Sequence, residues 1–264
     1  MLTARSCLHD ALLFCRARGN AMPDVWSGWM TSKPLAAALE EAFERCRNLD
    51  ASLNERLQAL ADSVRTLNPS FAEAVDRLVS RLQQSGAGAS APRPGDRMPP
   101  FVLPDETGRL VSLEQLLRKG PAAVVFHRGH WCPYCRISAD ALVRAQQEIQ
   151  GEGGQIVAIM PDREEFATEL KSETNAPFPI LTDVDNGYAL SLNLAIWVGA
   201  ELERMIAEAG WDLPTYQGNA AWMLPIPATF VVGTDGKVKA RFVDPDYRKR
   251  MAIEDMLEAL RGKC

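Results

Sequence analysis

The 264-residue sequence has no apolar run approaching the ~18–20 residues that span a bilayer, so a transmembrane helix is not expected. It also lacks a basic excess. Its 29 Lys and Arg residues face 34 Asp and Glu, a formal charge of -5, and they form no dense basic stripe. A phosphate-binding surface needs one or the other, which excludes nucleic acid as an expected partner. Six cysteines, unevenly placed, are too few for a disulfide scaffold in a chain this long. The opening MLTARSCLHDALLFCRARGN is not a clean secretory leader, because His9 and Asp10 interrupt its apolar stretch and no small-residue cleavage site follows. A cytoplasmic protein is expected, with Met22 and Met30 as alternative starts. Apolar residues at 47% and charged residues at 24% are the balance of a folded globular chain, which excludes wholesale disorder.

Residues 1–31 show no sustained periodicity. From Ser32 to Leu82 the pattern is helical, with apolar residues stepping by three and four. Leu35, Leu39, Phe43 and Cys46 make one stripe. Leu53, Leu57, Leu60, Val64 and Leu67 make a second. Phe71, Val75, Leu78 and Leu82 make a third, after Asn68-Pro69, where proline suits a first helical turn. The spacing predicts a helical extension over 32–82, for packing or for a homodimer surface, with Cys46 in its core. Residues 83–96, QQSGAGASAPRPGD, read as a linker.

Beyond the linker, residues 97–264 alternate strand and helix patterns. PFVLPDETGRLVSL predicts two short strands around a turn, with Ser112 capping a brief helix. PAAVVFH and QIVAIM are continuous apolar runs of the kind buried on both faces of a sheet. CRISADALVRAQQEIQ and REEFATELKSE are helical, FPILTD is a strand, and YALSLNLAI reads as helix. TFVVGTDGKVKARFV is a hairpin around Asp235-Gly236, and AIEDMLEALRG closes the chain as a helix. The plan is α/β, with a central mixed sheet and helices on both faces.

Cys132 and Cys135 are the only close cysteine pair, in FHRGHWCPYCRIS, where a buried strand gives way to a helix. Such a pair is half of a metal site or a redox dithiol. Zinc wants two more ligands at compatible spacing, and the chain has no second CxxC and no HxxxH, which favours the dithiol. Cys132 falls at the helix N-terminus, where free N–H groups and the macrodipole favour a thiolate. That placement lowers a cysteine pKa from ~8.5 into the range of roughly 3.5–7.5. Pro133 suits the first turn and stiffens the separation of the sulfurs. Cys135 follows one turn later. Arg128, His130 and Arg136 add positive charge nearby, and Trp131 forms apolar wall. His127, at a strand end, reads as a packed residue more readily than as a catalytic partner.

WCPYC at a strand-to-helix junction resembles the active-site motif of thioredoxin-fold proteins. The wider series FVLPDETGRLVSL, VVFHRGHWCPYC, IVAIMPD, FPILTDVDNGYALSLNL and IPATFVVGTDGKVKARF is similar to the peroxiredoxin-like family of the alkyl hydroperoxide reductase and thiol-specific antioxidant class, over residues 97 to 262. The resemblance implies a thioredoxin-like fold and thiol-dependent reduction of hydrogen peroxide or organic hydroperoxides. Cys132 would be the peroxidatic cysteine, passing through a sulfenic acid, and Cys135 the resolving one. Thioredoxin or another thiol reductant would reopen their disulfide, and no cofactor is implied. A disulfide reductase or redox relay would use the same two residues.

The sequence departs from the peroxiredoxin pattern at three places. Gly129 and Val125 stand where a threonine or serine and a proline are usual, and Pro227 stands where an arginine usually holds the peroxide. Pro227 in IPATF instead resembles the cis proline of thioredoxin, which implies a cis Ile226–Pro227 bond and an Ile226 backbone free to pair with an extended substrate. Without the arginine, peroxide reduction slower than in the full motif is expected. The stretch 198–224 holds Trp211, Tyr216 and Trp222 and reads as buried aromatic packing rather than a lid. Arg248 and Arg250, in FVDPDYRKR, read as a solvated end. Added zinc is expected neither to bind tightly nor to raise the melting temperature; a stoichiometric metal in the purified protein would contradict the redox reading.

Overall fold

The computed structural model describes residues 35–262; the segment 1–31, Cys7, Cys15 and Cys264 lie outside the described residues. The helical pattern gives α1 (Leu35–Arg47), α2 (Leu53–Leu67) and α3 (Pro69–Gln84). Their boundaries follow local chemistry. Ser52 and Glu55 form a reciprocal capping box at the start of α2. Asn68 accepts the Phe71 N–H at 3.1 Å to cap α3, whose first residue, Pro69, has no N–H to satisfy.

The α/β part follows as β1 (Val102–Pro104), β2 (Leu110–Ser112), α4 (Leu113–Leu117), β3 (Ala122–Phe126), α5 (Pro133–Gly151), β4 (Gln155–Met160), α6 (Glu164–Thr174) and β5 (Ile180–Thr182). The remaining elements are α7 (Gly187–Ser191), β6 (Ala195–Trp197), α8 (Ala200–Glu208), α9 (Leu213–Gln217), β7 (Met223–Pro225), β8 (Ala228–Val232), β9 (Val238–Val243) and α10 (Ile253–Leu260). The central sheet has the order β5-β4-β3-β8-β9, with β3, β4 and β5 parallel and β8 and β9 antiparallel. It is the mixed sheet the pattern predicts. Two small antiparallel pairs, β1-β2 and β6-β7, stand outside it.

Strand alternation divides the core. Val124, Phe126, Val157, Ile159 and Phe230 point to one face. Ala123, Val125, Ile156, Ala158 and Val231 point to the other, against α5, α6 and α10. One expected helix is cut short. YALSLNLAI holds helix only to Ser191, because Asn193 adopts a left-handed φ of 58° and turns the chain into β6.

From Leu39 onward the chain forms one compact unit. A third apolar cluster joins Phe43, Leu57, Leu60 and Leu78 of the helical segment to Trp131, Cys132 and Ile137 around the start of α5. In the stretch 83–96, Ala91 is buried. At Gly88 an added Cβ would come 2.7 Å from the Val243 side chain.

An ion pair fastens α2 to α5. Arg56, 3% exposed, donates to Asp140 at 2.7 Å and also to the backbone carbonyls of Cys46 and Arg47. Arg144 holds the same carboxylate at 2.9 Å. Removing one partner of a buried pair strands the other charge, at a cost of about 3–5 kcal/mol. Asp140→Ala is therefore expected to lower unfolding free energy by about 3 kcal/mol in a urea titration. A loss below about 1 kcal/mol would show that the carbonyls alone satisfy Arg56.

Candidate active site

Strand β3 ends at Phe126, and a five-residue loop, His127 to Trp131, delivers the chain to Cys132, the N-cap of α5. Pro133 fills the first turn, and the Cys135 N–H donates to the Cys132 carbonyl at 2.9 Å. Both cysteines are free thiols and fully covered, Cys132 at 1% and Cys135 at 0% exposure. The loop is tight at Gly129, whose φ is 151°. A Cβ there would fall 2.4 Å from Trp131 Nε1 and 2.7 Å from Asp162 Oδ2, so this loop has no room for the threonine or serine of the peroxiredoxin pattern.

Two guanidinium groups reach the sulfurs. Arg128, 5% exposed, places Nη1 4.0 Å from Cys132 Sγ, while its backbone N–H donates to Cys135 Sγ at 3.3 Å. Its guanidinium lies 3.8 Å from the Tyr247 ring centre and 5.2 Å from that of Trp131, two cation–π contacts. Arg250, 2% exposed, places Nη2 3.4 Å from Cys135 Sγ. Its Nη1 is held by the carbonyls of Tyr247 at 2.6 Å and Lys249 at 2.7 Å. Neither arginine pairs with a carboxylate among the described residues. A buried charge without a partner is costly, so the counter-charge here has to come from sulfur.

The dithiol responds accordingly. Burial alone would push the Cys132 thiol up. The hydrogen bond from the Cys135 thiol and the charges of Arg128 and Arg250 outweigh burial and bring Cys132 down to about 6. Cys135 is pushed well above its usual value, by burial and by the neighbouring Cys132 charge. In the reduced protein one sulfur is set to be a thiolate and the other to keep its proton.

The other expected site residues are placed differently. His130 turns to Asp162, with Nδ1 2.7 Å and its backbone N–H 2.8 Å from Oδ2, and it stacks on Phe166 with Tyr216 at its edge. Arg136 is held by Glu173 at 2.6 Å and covers the Phe43 ring, so it fastens α5 to α1 and not to the dithiol. His127 is fully buried and its imidazole is driven down to about 3 by burial and by Arg250, which keeps it neutral, a packed residue. Trp131 is buried and packs on Trp211, so the aromatic residues of 198–224 line the neighbourhood of the motif. The cis expectation for Pro227 is corrected. The Ile226–Pro227 bond is trans, and the Ile226 N–H is already given to the Leu194 carbonyl at 2.7 Å, beside the β6-β7 pair, so it cannot receive an extended substrate. The solvated reading of Arg248 and Arg250 is corrected as well. Arg248 is locked by Asp246 at 2.7 Å and Asp76 at 2.8 Å, and Arg250 is buried on the dithiol. Within a polar run, only Tyr247 hinted that the segment turns inward. A cleft of about 400 Å³ between α2 and this loop has Asn54, Gln58, Arg248 and Arg250 in its walls. Among the described residues no three His, Cys, Asp or Glu side chains are grouped to hold a metal ion.

A CxxC at the junction of β3 and α5, on this mixed sheet, defines a thioredoxin-fold dithiol protein. The profile of the AhpC/TSA family matches residues 94–241, and the chain belongs to that family as a peroxiredoxin-like oxidoreductase. A peroxiredoxin-named protein of Mycobacterium tuberculosis (strain ATCC 25618 / H37Rv) is 30% identical over 145 residues, 55% of this chain and 81% of that one. The chloroplastic peroxiredoxin Q of Sedum lineare is 32% identical over 92 residues, 35% of this chain and 49% of its own length. The crystal structure of peroxidoxin BcpB from Mycobacterium tuberculosis superposes with a TM-score of 0.51 at 22% identity, over 65% of this chain and 97% of that chain, a likeness of fold.

The two arginines make the thiolate directly testable. Absorbance at 240 nm is expected to rise with pH through a midpoint near 6 as Cys132 ionises. Arg128→Gln should move that midpoint up by about one unit or more. An unchanged midpoint would remove Arg128 from the electrostatics of the site.

Proposed function

We propose that the protein is a thiol peroxidase that reduces hydrogen peroxide or organic hydroperoxides at Cys132, and that Cys135 then closes an internal disulfide. Thioredoxin or another thiol reductant restores the dithiol. The observation that carries this reading is the buried Cys132 with the Arg128 guanidinium at 4.0 Å, matched by no carboxylate among the described residues. A small oxidant needs little room and gains from a thiolate already formed. The thiolate attacks one peroxide oxygen, the O–O bond breaks, and the departing alkoxide or hydroxide takes up a proton as alcohol or water. Positive charge at the sulfur favours that departing anion. The charge absent at Pro227 is supplied here by Arg128 and Arg250.

The rival is a protein disulfide reductase on the same residues, and the 24% identity to the thiol-disulfide oxidoreductase ResA of Bacillus subtilis, over 58% of this chain, keeps it in view. Coverage of both sulfurs speaks against it, since a folded substrate must bring its own disulfide to within bonding distance of Cys132. Stopped-flow tryptophan fluorescence, with Trp131 adjoining the sulfur, separates the two. Reduced protein is expected to react with hydrogen peroxide and an organic hydroperoxide much faster than free cysteine does, and Cys132→Ser is expected to abolish the reaction. Cys135→Ser should stop at a sulfenic acid that dimedone captures. Peroxide reactivity no greater than that of free cysteine, with ready attack on a protein disulfide, would give the site to the rival.

A further inference from the structure

We propose that Arg250 is a catalytic residue of the resolving step, contributed by the loop after β9 to stabilise the thiolate of Cys135 once Cys132 has been oxidised. The inference rests on the peroxidase reading above and adds to it a division of labour between the two buried arginines. Arg128 puts its guanidinium on Cys132 Sγ, and Arg250 puts its own on Cys135 Sγ at 3.4 Å. Two buried cations face a pair of sulfurs that holds one negative charge at a time. While Cys132 is a thiolate, that charge is the counter-ion for both arginines, and a second thiolate one turn away is opposed by repulsion. Oxidation removes it, because a sulfenic acid is neutral. Among the described residues Arg250 then has no anion beside it, and the group it already touches that can supply one is the Cys135 thiol.

The chemistry balances. Cys135 loses its proton, its sulfur attacks the Cys132 sulfenic sulfur, the S–S bond forms as the S–OH bond breaks, and the hydroxide leaves as water with the proton. Cys135 is oxidised and the sulfenic sulfur reduced, without another reactant. The remaining groups around Cys135 do not compete for the role. His127 is held neutral by burial and Arg250, and burial keeps the phenols of Tyr134 and Tyr247 protonated. The backbone N–H of Arg128 adds a hydrogen bond at 3.3 Å. Among the described residues, α1, α2 and α3 bring no hydrogen bond or ion pair to Cys135. Arg250 itself is fixed by the Tyr247 and Lys249 carbonyls, so its charge is in place before the step begins.

The test is single-turnover oxidation of the reduced full-length protein by hydrogen peroxide, resolving sulfenic acid formation from disulfide closure across pH. Fluorescence follows both phases, and dimedone trapping identifies the first. Arg250→Gln keeps hydrogen-bond donors for the two carbonyls and removes the charge; Arg250→Lys keeps the charge. In Arg250→Gln closure is expected to slow by roughly tenfold or more and its pH midpoint to move up by about one unit, with a smaller loss in the first phase. Arg250→Lys should recover most of the rate and the original midpoint. Equal losses in both phases, or equal losses in Gln and Lys variants with no midpoint shift, would make Arg250 a loop fastener only and overturn the proposal. A wild-type protein that forms no sulfenic acid with peroxide would instead sink the peroxidase reading itself.

Discussion

Two guanidinium groups, buried within reach of two sulfurs and matched by no described carboxylate, are the constraint around which the site is organised. Arg128 and Arg250 come from opposite ends of the α/β part, one from the loop after β3 and one from the loop after β9. They meet because α5 starts between those loops. Desolvating a cation costs several kcal/mol unless an anion accompanies it. Among the described residues the dithiol is the group placed to become that anion at neutral pH, so burial of the arginines and ionisation of Cys132 are one event seen from two sides. Stacking on Tyr247 and Trp131 lowers the cost further and fixes where the Arg128 charge sits.

The helical segment takes part in the same balance. Phe43, Leu57 and Leu78 share a cluster with Trp131 and Cys132, and Arg136 is stacked on Phe43, so water is displaced from the motif by residues 50 to 90 positions earlier in the chain. Low local polarity is what makes a guanidinium at 4.0 Å strong enough to matter. The ion pair of Arg56 with Asp140 holds the cover on α5 without touching the sulfurs. Fold and site are therefore not separable here; the extension is part of the environment in which the thiol ionises.

Much of this was legible in the linear sequence. Continuous apolar runs marked β3 and β4, Asp235-Gly236 marked the β8-β9 hairpin, and the cap at Ser112 and the proline after Asn68 marked helix starts, because each depends on neighbours in the chain. The motif at Cys132 was visible for the same reason. What escaped was decided by contacts across the fold. A buried arginine looks like a solvated one in DPDYRKR, and nothing near Arg250 in the chain says that Cys135, 115 positions away, is its neighbour. His130 showed its charge but not its partner Asp162, and Pro227 suggested a geometry that the pairing of Ile226 with Leu194 makes unnecessary. The short β6 was hidden in a run that suits either element, and a single left-handed asparagine settled it.

The buried guanidinium pair also acts on the driving force of the disulfide. Every interaction that favours the Cys132 thiolate favours the reduced protein, and a disulfide, being neutral, returns nothing to Arg128 or Arg250. A thiol whose pKa falls from 9.0 to about 6 gains roughly tenfold in stability at neutral pH, counting only the interval between that pKa and the surrounding pH. For a two-electron couple a factor of ten is about 30 mV. The oxidised pair would therefore sit at a more oxidising reduction potential than an otherwise equal pair without the arginines, and electrons would flow to it readily from an ordinary dithiol donor.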